Sequence, residues 1–320
     1  MSFSGLIIID KSPGPGSHDV VRRMRRILSD KSVGHAGTLD PFASGVLVVL
    51  VGHATLLSQF LILDEKSYEA RLRWGAATDT QDGEGRVVET TDHPMPGEPE
   101  IALAMERFSG TIEQIPPMFS AKKIDGRPLH RLARKGAEVE RKPVPVVVHD
   151  MHLTARHEDG WSFFVRCSKG TYVRTLAHDL AIALGGFGHL TALRRLSSGP
   201  FTLERAISLD DFEARIAQAN DVASVAAEVG IAFDDALPHL PKLTLGPSDA
   251  WDLINGRLLP LDRFPANADG DLWRCVDQRG RMIAVATPRL DEGVWKTKRV
   301  FVDSVEYRRE TGGPGASPQE

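Results

Sequence analysis

The sequence predicts an α+β protein in which a large domain of mixed strands and helices precedes a small, mostly β one. Two apolar runs, Leu6–Ile9 and Val46–Val51, are short, nearly free of polar residues and bounded by turn signals, as buried strands are. Between 68 and 74 the pattern alternates: Tyr68, Ala70, Leu72 and Trp74 share one face, with Glu69, Arg71 and Arg73 on the other. After about residue 240 short strands recur between Gly270, Gly280 and Gly293.

The elements follow in order. A Pro/Gly-rich turn, 12–16, closes the first strand. Ser17 is placed to cap a helix whose apolar stripe is Val20, Val21, Met24, Ile27 and Leu28. Its other face carries Arg22, Arg23, Arg25 and Arg26, which suits either solvent or RNA. Residues 34–44 read as an irregular loop feeding the strand Val46–Val51. Residues 54–63 read as helical, 78–85 as a polar turn, Val87-Val88 as a returning strand and 101–108 as a helix. Strands are expected at 144–148 and 161–167. Thr171 is placed to cap a helix carrying Val173, Leu176, Ala177, Leu180, Ala181 and Leu184, stopped by Gly185-Gly186. Ser208 with Asp211 resembles a capping box for a helix running to about 220. A short helix is expected over 248–255, and a Gly/Pro/Ser-rich disordered tail at the C-terminus.

Composition narrows the function. The 320 residues are 42% hydrophobic and 26% charged, ordinary for a globular protein. Cys167 and Cys275 stand alone, so neither a disulfide framework nor a cysteine zinc site is expected, and a reducing cytoplasm fits. No secretory signal or membrane-length apolar stretch is visible. Net charge is −4, yet residues 120–142 hold eight basic residues against three acidic ones, a local footprint for a polyanion. No phosphate-binding loop, dinucleotide fingerprint, zinc-protease helix or nucleophile elbow occurs, and Asp79 with Asp82-Gly83 lacks the remaining ligands of a calcium loop.

The densest stretch is Gly34-His35-Ala36-Gly37-Thr38-Leu39-Asp40-Pro41-Phe42-Ala43-Ser44-Gly45. Small residues around one His and one Asp let a substrate approach the backbone, and Pro41 holds Asp40 extended. Such a carboxylate can be a nucleophile, a general base or a metal ligand, and a lone Asp-Pro is more often simply a turn.

That stretch resembles the signature of the bacterial tRNA pseudouridine synthase B family. Asp10-Lys11 with Gly14 and Ser17, Lys66-Ser67-Tyr68, 78–82, 116–122 with Gly126, Ser168–Arg174 and Leu193-Arg194-Arg195 resemble further family motifs in the same order, over about residues 5–205. The chain departs from the family pattern at Ser12, Gly16, Phe119 and His130. The resemblance implies a pseudouridine synthase fold, a mixed, largely antiparallel sheet flanked by helices, over 1–236, with an RNA-binding insertion at about 116–146. It also implies a PUA-like β-barrel over 240–308 and leaves 309–320 as tail. It implies that Asp40 is the essential carboxylate, that Arg174 pairs with it and keeps it ionised, and that Tyr68 stacks on the target uracil. The resemblance further implies that Leu193 lines the uracil pocket and that His35 fills the space of the extruded base. Tyr172, Lys11, Lys122, Lys123 and Arg131 are implied substrate contacts. The implied partner is tRNA, through its T-arm, modified by a monomer without metal or nucleotide cofactor, since isomerisation exchanges no group or electron. A non-catalytic RNA-binding or RNA-folding protein, or a hydrolase using Asp40, are the competing readings. A pure binder would not need the set Asp40, Tyr68 and Arg174, and a hydrolase predicts a water-activating base or metal site, for which the sequence shows no convincing constellation.

Overall fold

The computed structural model describes residues 3–62, 65–120, 123–124, 127–129, 139–264 and 270–311. An 11-stranded sheet organises residues 5–232. Its main path runs Ile207–Ser208, Gly5–Lys11, Ser44–Val51, Gly188–Ser198, Glu65–Trp74, Gly160–Ser168, Val144–His157, Gly110–Gln114. Pairing is antiparallel except where Gly5–Lys11 meets Ile207–Ser208 and where Gly188–Ser198 meets Ser44–Val51.

The unbroken apolar runs have a cause. Ile7, Ile9, Leu47, Val49 and Val51 join one core, under the helices Ser17–Ile27, Glu98–Arg107, Val173–Ala183 and Leu209–Gln218. Leu6, Ile8, Val46, Val48 and Leu50 face the other way, against the 3₁₀ helix Gly52–Phe60 and against Val276, Met282, Val285 and Phe301. A strand buried on both faces has no reason to alternate. Ile8, 1% exposed in the second core, is the sharpest probe of that layer. Ile8→Ala should lower stability by about 2–5 kcal/mol, read as a shifted urea midpoint at unchanged slope.

Beyond residue 240 a second sheet of five strands has the order Lys242–Thr244, Trp273–Val276, Met282–Arg289, Val294–Val300, Leu259–Pro260. Its own core gathers Leu253, Cys275, Ile283, Ala286, Trp295 and Tyr307. Among the described residues no helix is long and apolar enough to cross a membrane.

Several local expectations change. Gly16, not Ser17, occupies the cap of the first helix, and Asp19 accepts a hydrogen bond from its N–H at 3.0 Å. Tyr172, not Thr171, occupies the cap of Val173–Ala183, and the Thr171 hydroxyl turns back to donate to the Ser168 carbonyl. The segment expected as helix over 54–63 is the 3₁₀ stretch Gly52–Phe60. Part of the expected 34–44 loop, Val33–Ala36, pairs as a strand with Ser44–Val51. Residues 309–311, expected in the tail, belong to the helix Ser304–Thr311, anchored by buried Tyr307, and the rest of the tail lies outside the described residues. The arginines of the first helix divide. Arg23 pairs with Asp210 and Glu213, Arg25 donates to the Val33 carbonyl, and only Arg22, paired with Asp19, is largely exposed among the ion-paired ones.

Candidate active site

Asp40 sits in the short passage between the strands Val33–Ala36 and Ser44–Val51, and its neighbours are fixed from three sides. Ser17 Oγ donates to the Leu39 carbonyl at 3.0 Å and accepts from Leu39 N at 2.8 Å. Lys11 Nζ donates to the carbonyls of Ser12, Pro15 and Pro41 at 2.9, 2.9 and 3.1 Å, and Gly14 N also reaches Pro41 O. From the sheet, the guanidinium of Arg195 donates to the carbonyls of Val46, Gly37 and Thr38. Burial lowers the Lys11 pKa to about 8, with Asp40 pulling the other way.

Arg195 does this because of register. The strand Gly188–Ser198 lies between Ser44–Val51 and Glu65–Trp74, so Arg195 is opposite Gly45 on one side and Tyr68 on the other. Gly45 has φ +99, and a Cβ there would lie 2.1 Å from the Arg195 carbonyl oxygen, so only glycine allows this approach. Thus one central strand brings the Asp40 passage, Tyr68 and Leu193 together.

Arg174 enters from the first turn of Val173–Ala183. Its guanidinium is buried. Nε is 2.9 Å from Asp40 Oδ2, and Nη1 is 3.3 Å from Asp82 Oδ2 and donates to Thr80 O at 2.7 Å. Nη2 donates to Phe119 O at 2.8 Å. Asp82 is held in turn: its Oδ1 accepts from Thr80 Oγ1 and from Glu84 N. The helix start is pinned by Gln114, whose side-chain amide exchanges two hydrogen bonds with the Tyr172 backbone.

Opposing influences set the charge of Asp40. Arg174 does favour the Asp40 carboxylate, but desolvation is the larger influence and Asp82 adds to it, so the Asp40 pKa is raised. Its side chain is still 36% exposed, opening into a cleft of about 260 Å³. Tyr68, Tyr172 and Leu193 form apolar walls of that cleft, with Lys66 and Lys169 also lining it. Burial raises the phenol pKa of both tyrosines, so each meets a ligand as a neutral ring. Among the described residues no cluster of three His, Cys, Asp or Glu side chains is placed to hold a metal.

The model of the TruB family pseudouridylate synthase N-terminal domain matches residues 25–173, and that of the tRNA pseudouridylate synthase B C-terminal domain matches residues 174–262. The tRNA pseudouridine synthase B of Geobacter sulfurreducens is 48% identical over 79% of this chain and 82% of its own. That of Geotalea uraniireducens is 42% identical over 92% and 94%. The chain belongs to the TruB family. The fold agrees: a crystal structure of a Cbf5-Nop10-Gar1 complex superposes with a TM-score of 0.75, at 27% identity, over 95% of this chain and 86% of that one.

In this TruB-family chain three of the four departures from the family pattern, Ser12, Gly16 and Phe119, fall where the main chain makes a hydrogen bond. Ser12 and Phe119 each supply a carbonyl, to Lys11 and Arg174, and Gly16 supplies its N–H to Asp19. His130 lies outside the described residues, as do Lys122 and Arg131. Lys123 begins a two-residue strand paired with Arg127–Pro128. Lys11 is buried with its ammonium committed to three carbonyls, which suits it to hold the Asp40 passage. His35 does not line the cleft and packs instead against His18. Sequence reasoning did not single out Asp82, Arg195 or His18 as site residues. The first lay in a motif that also reads as an ordinary polar turn, and the second sat two residues from Leu193.

Proposed function

We propose that this chain isomerises the T-loop uridine of tRNA, position 55, to pseudouridine. The observation that carries this reading is the Asp40 carboxylate, held by a buried arginine at the wall of a cleft faced with neutral aromatic and apolar side chains. A uracil swung out of its stack, at a cost of about a few kcal/mol, enters beside Tyr68 and Leu193. Tyr68 offers a face that tolerates rotation of the base, since stacking has no in-plane preference for one edge. The N1–C1′ bond breaks, the base turns, and the C5–C1′ bond forms. C5 gives up its hydrogen and N1 gains one, so no cofactor is consumed. Asp40 is the group that assists glycosidic cleavage, whether by bonding to the detached fragment or by taking a sugar proton. His35 occupies the gap left in the RNA, and Tyr172 completes the wall of the uracil site.

In this reading residues 1–236 are the catalytic domain. The basic insertion at about 116–146, with Lys122, Lys123 and Arg131, tracks phosphate. Residues 240–308 form a PUA-like RNA-binding unit on the same chain, which acts as a monomer. The names of the relatives support tRNA as substrate, and a folded T-arm offers the single-stranded loop that RNA recognition favours.

The test is release of tritium from a T-arm RNA labelled at uracil C5. Stoichiometric release with pseudouridine at the target position is expected. Tight binding without release, on both the T-arm and whole unmodified tRNA, would leave a binder and not an isomerase. The pH profile of the same assay is a second expectation. Asp40 works as carboxylate, and its pKa is raised mainly by desolvation. Lowering the pH therefore protonates it early, and kcat/KM should fall about tenfold per pH unit below a midpoint above 3.8. A flat profile down to the ordinary carboxylate range counts against that environment.

A further inference from the structure

Asp40 stands between two hollows. Besides the cleft that Tyr68 lines, a second one of about 370 Å³ is lined by Ser17, His18, Phe119 and Glu84 as well as by Asp40. His18 is exposed, in the first turn of the helix Ser17–Ile27. Its ring centroid is 5.2 Å from that of His35, with the planes at 68°, an edge-to-face contact. His35 comes from the strand Val33–Ala36, immediately before the carbonyls that Arg195 grips.

His35 is an unusual ring. Its Nδ1 is buried with no hydrogen-bond partner among the described residues. Desolvation, then the neighbouring charges of His18 and Arg195, lowers its pKa to about 4. At neutral pH it is a flat, uncharged ring, suited to stack among bases and not to pair with phosphate. No hydrogen bond at Nδ1 fixes its rotation about the side chain, which gives weight to the contact with the adjoining ring. His18 supplies that ring, and because it is exposed its removal opens no cavity.

We propose that His18 is a positioning residue: its ring sets the orientation from which His35 enters the space that the extruded uridine leaves. The inference rests on the role given to His35 above and adds the residue on which that role depends. His18 touches neither the target base nor its sugar. It acts through His35 alone, so its contribution exists only while His35 is present.

A double-mutant cycle separates this from a direct RNA contact. The four proteins His18→Ala, His35→Ala, the double variant and wild type are assayed for tritium release on the T-arm RNA, with His18→Phe beside them. His18→Ala should lose about 2- to 12-fold in kcat/KM, the range of one aromatic edge contact. In the His35→Ala background the same change should alter kcat/KM less than twofold. His18→Phe, which keeps an edge to present, should return to within about twofold of wild type. Equal losses in both backgrounds would overturn the inference and make His18 an independent contact. So would an unaffected His18→Ala beside an impaired His35→Ala. An unimpaired His35→Ala would instead remove the role of His35 itself, while wild-type release would keep the isomerase reading intact. Melting midpoints equal to that of wild type show that each variant is folded.

Discussion

Asp40→Asn should release no tritium beyond background while binding T-arm RNA as wild type does. The expected loss is about 10²–10⁴-fold if the carboxylate serves as acid or base, and larger if it bonds covalently to substrate. Asparagine keeps the size of the side chain and leaves its surroundings in place. Ser17, Lys11 and Arg195 all hold main-chain atoms of the passage, not the carboxylate. Arg174 is not stranded either, because Asp82, Thr80 O and Phe119 O remain around it. Stability should hold or rise. A carboxylate whose pKa is raised on folding favours the folded state fully below its unfolded pKa, and that contribution is lost as pH rises through the folded value. At neutral pH, ionised Asp40 therefore works against folding, and the neutral amide relieves that. An inactive Asp40→Asn with an unchanged or higher melting midpoint and intact RNA affinity is the expected triple result. Activity close to wild type would remove Asp40 from the chemistry.

Much of the scaffold was legible because its signals are local. Leu6–Ile9 and Val46–Val51 announce strands buried on both faces, and the alternation of Tyr68–Trp74 announces a strand with one apolar face. The Ser208 cap, accepting from Asp211 N at 3.0 Å, is likewise a short-range feature. The strand that assembles the site was not legible. Gly188–Ser198 carries two arginines, and a hydropathy pattern assigns arginine to solvent. Arg195 is instead 0% exposed, because two carbonyls of the Asp40 passage, Gly37 and Thr38, and that of Val46 in the adjoining strand take its donors. Its placement depends on a parallel pairing with Ser44-Gly45, about 150 residues away, which no sequence window contains. Caps shifted by one residue because their hydroxyls are used elsewhere. Ser17 and Thr171 have cap chemistry, but other partners claim their hydroxyls: the distant Leu39 carbonyl for Ser17, and for Thr171 the Ser168 carbonyl of its own turn. Asp82 resembled any acidic turn residue until Arg174, 92 positions later, closed on it.

Arg174→Ala should be the most damaging single change in the network, and in two separable ways. The first is stability. The change leaves Asp82 buried without its cation and the carbonyls of Thr80 and Phe119 without a donor. Removing one partner from a buried ion pair costs about 3–5 kcal/mol, since the remaining charge stays desolvated. Urea unfolding should show that loss as a lower midpoint. The second is chemistry. Desolvation and Asp82 both raise the Asp40 pKa, and Arg174 is the main influence against them. Without it the carboxylate protonates at higher pH, so the acid limb of the rate profile should move toward neutrality and activity at neutral pH should fall. Arg174→Lys distinguishes geometry from charge. A lysine restores a cation but has no planar fork to reach Asp40, Asp82 and two carbonyls at once. It should recover part of the stability and part of the pKa shift, with kcat/KM still well below wild type. An Arg174→Ala protein with a wild-type acid limb would show that Asp40 owes its charge state to something other than this arginine. The combined outcome, an early acid limb together with a weakened fold, would tie the state of Asp40 to the same buried guanidinium that closes the Asp82 turn onto the Asp40 passage.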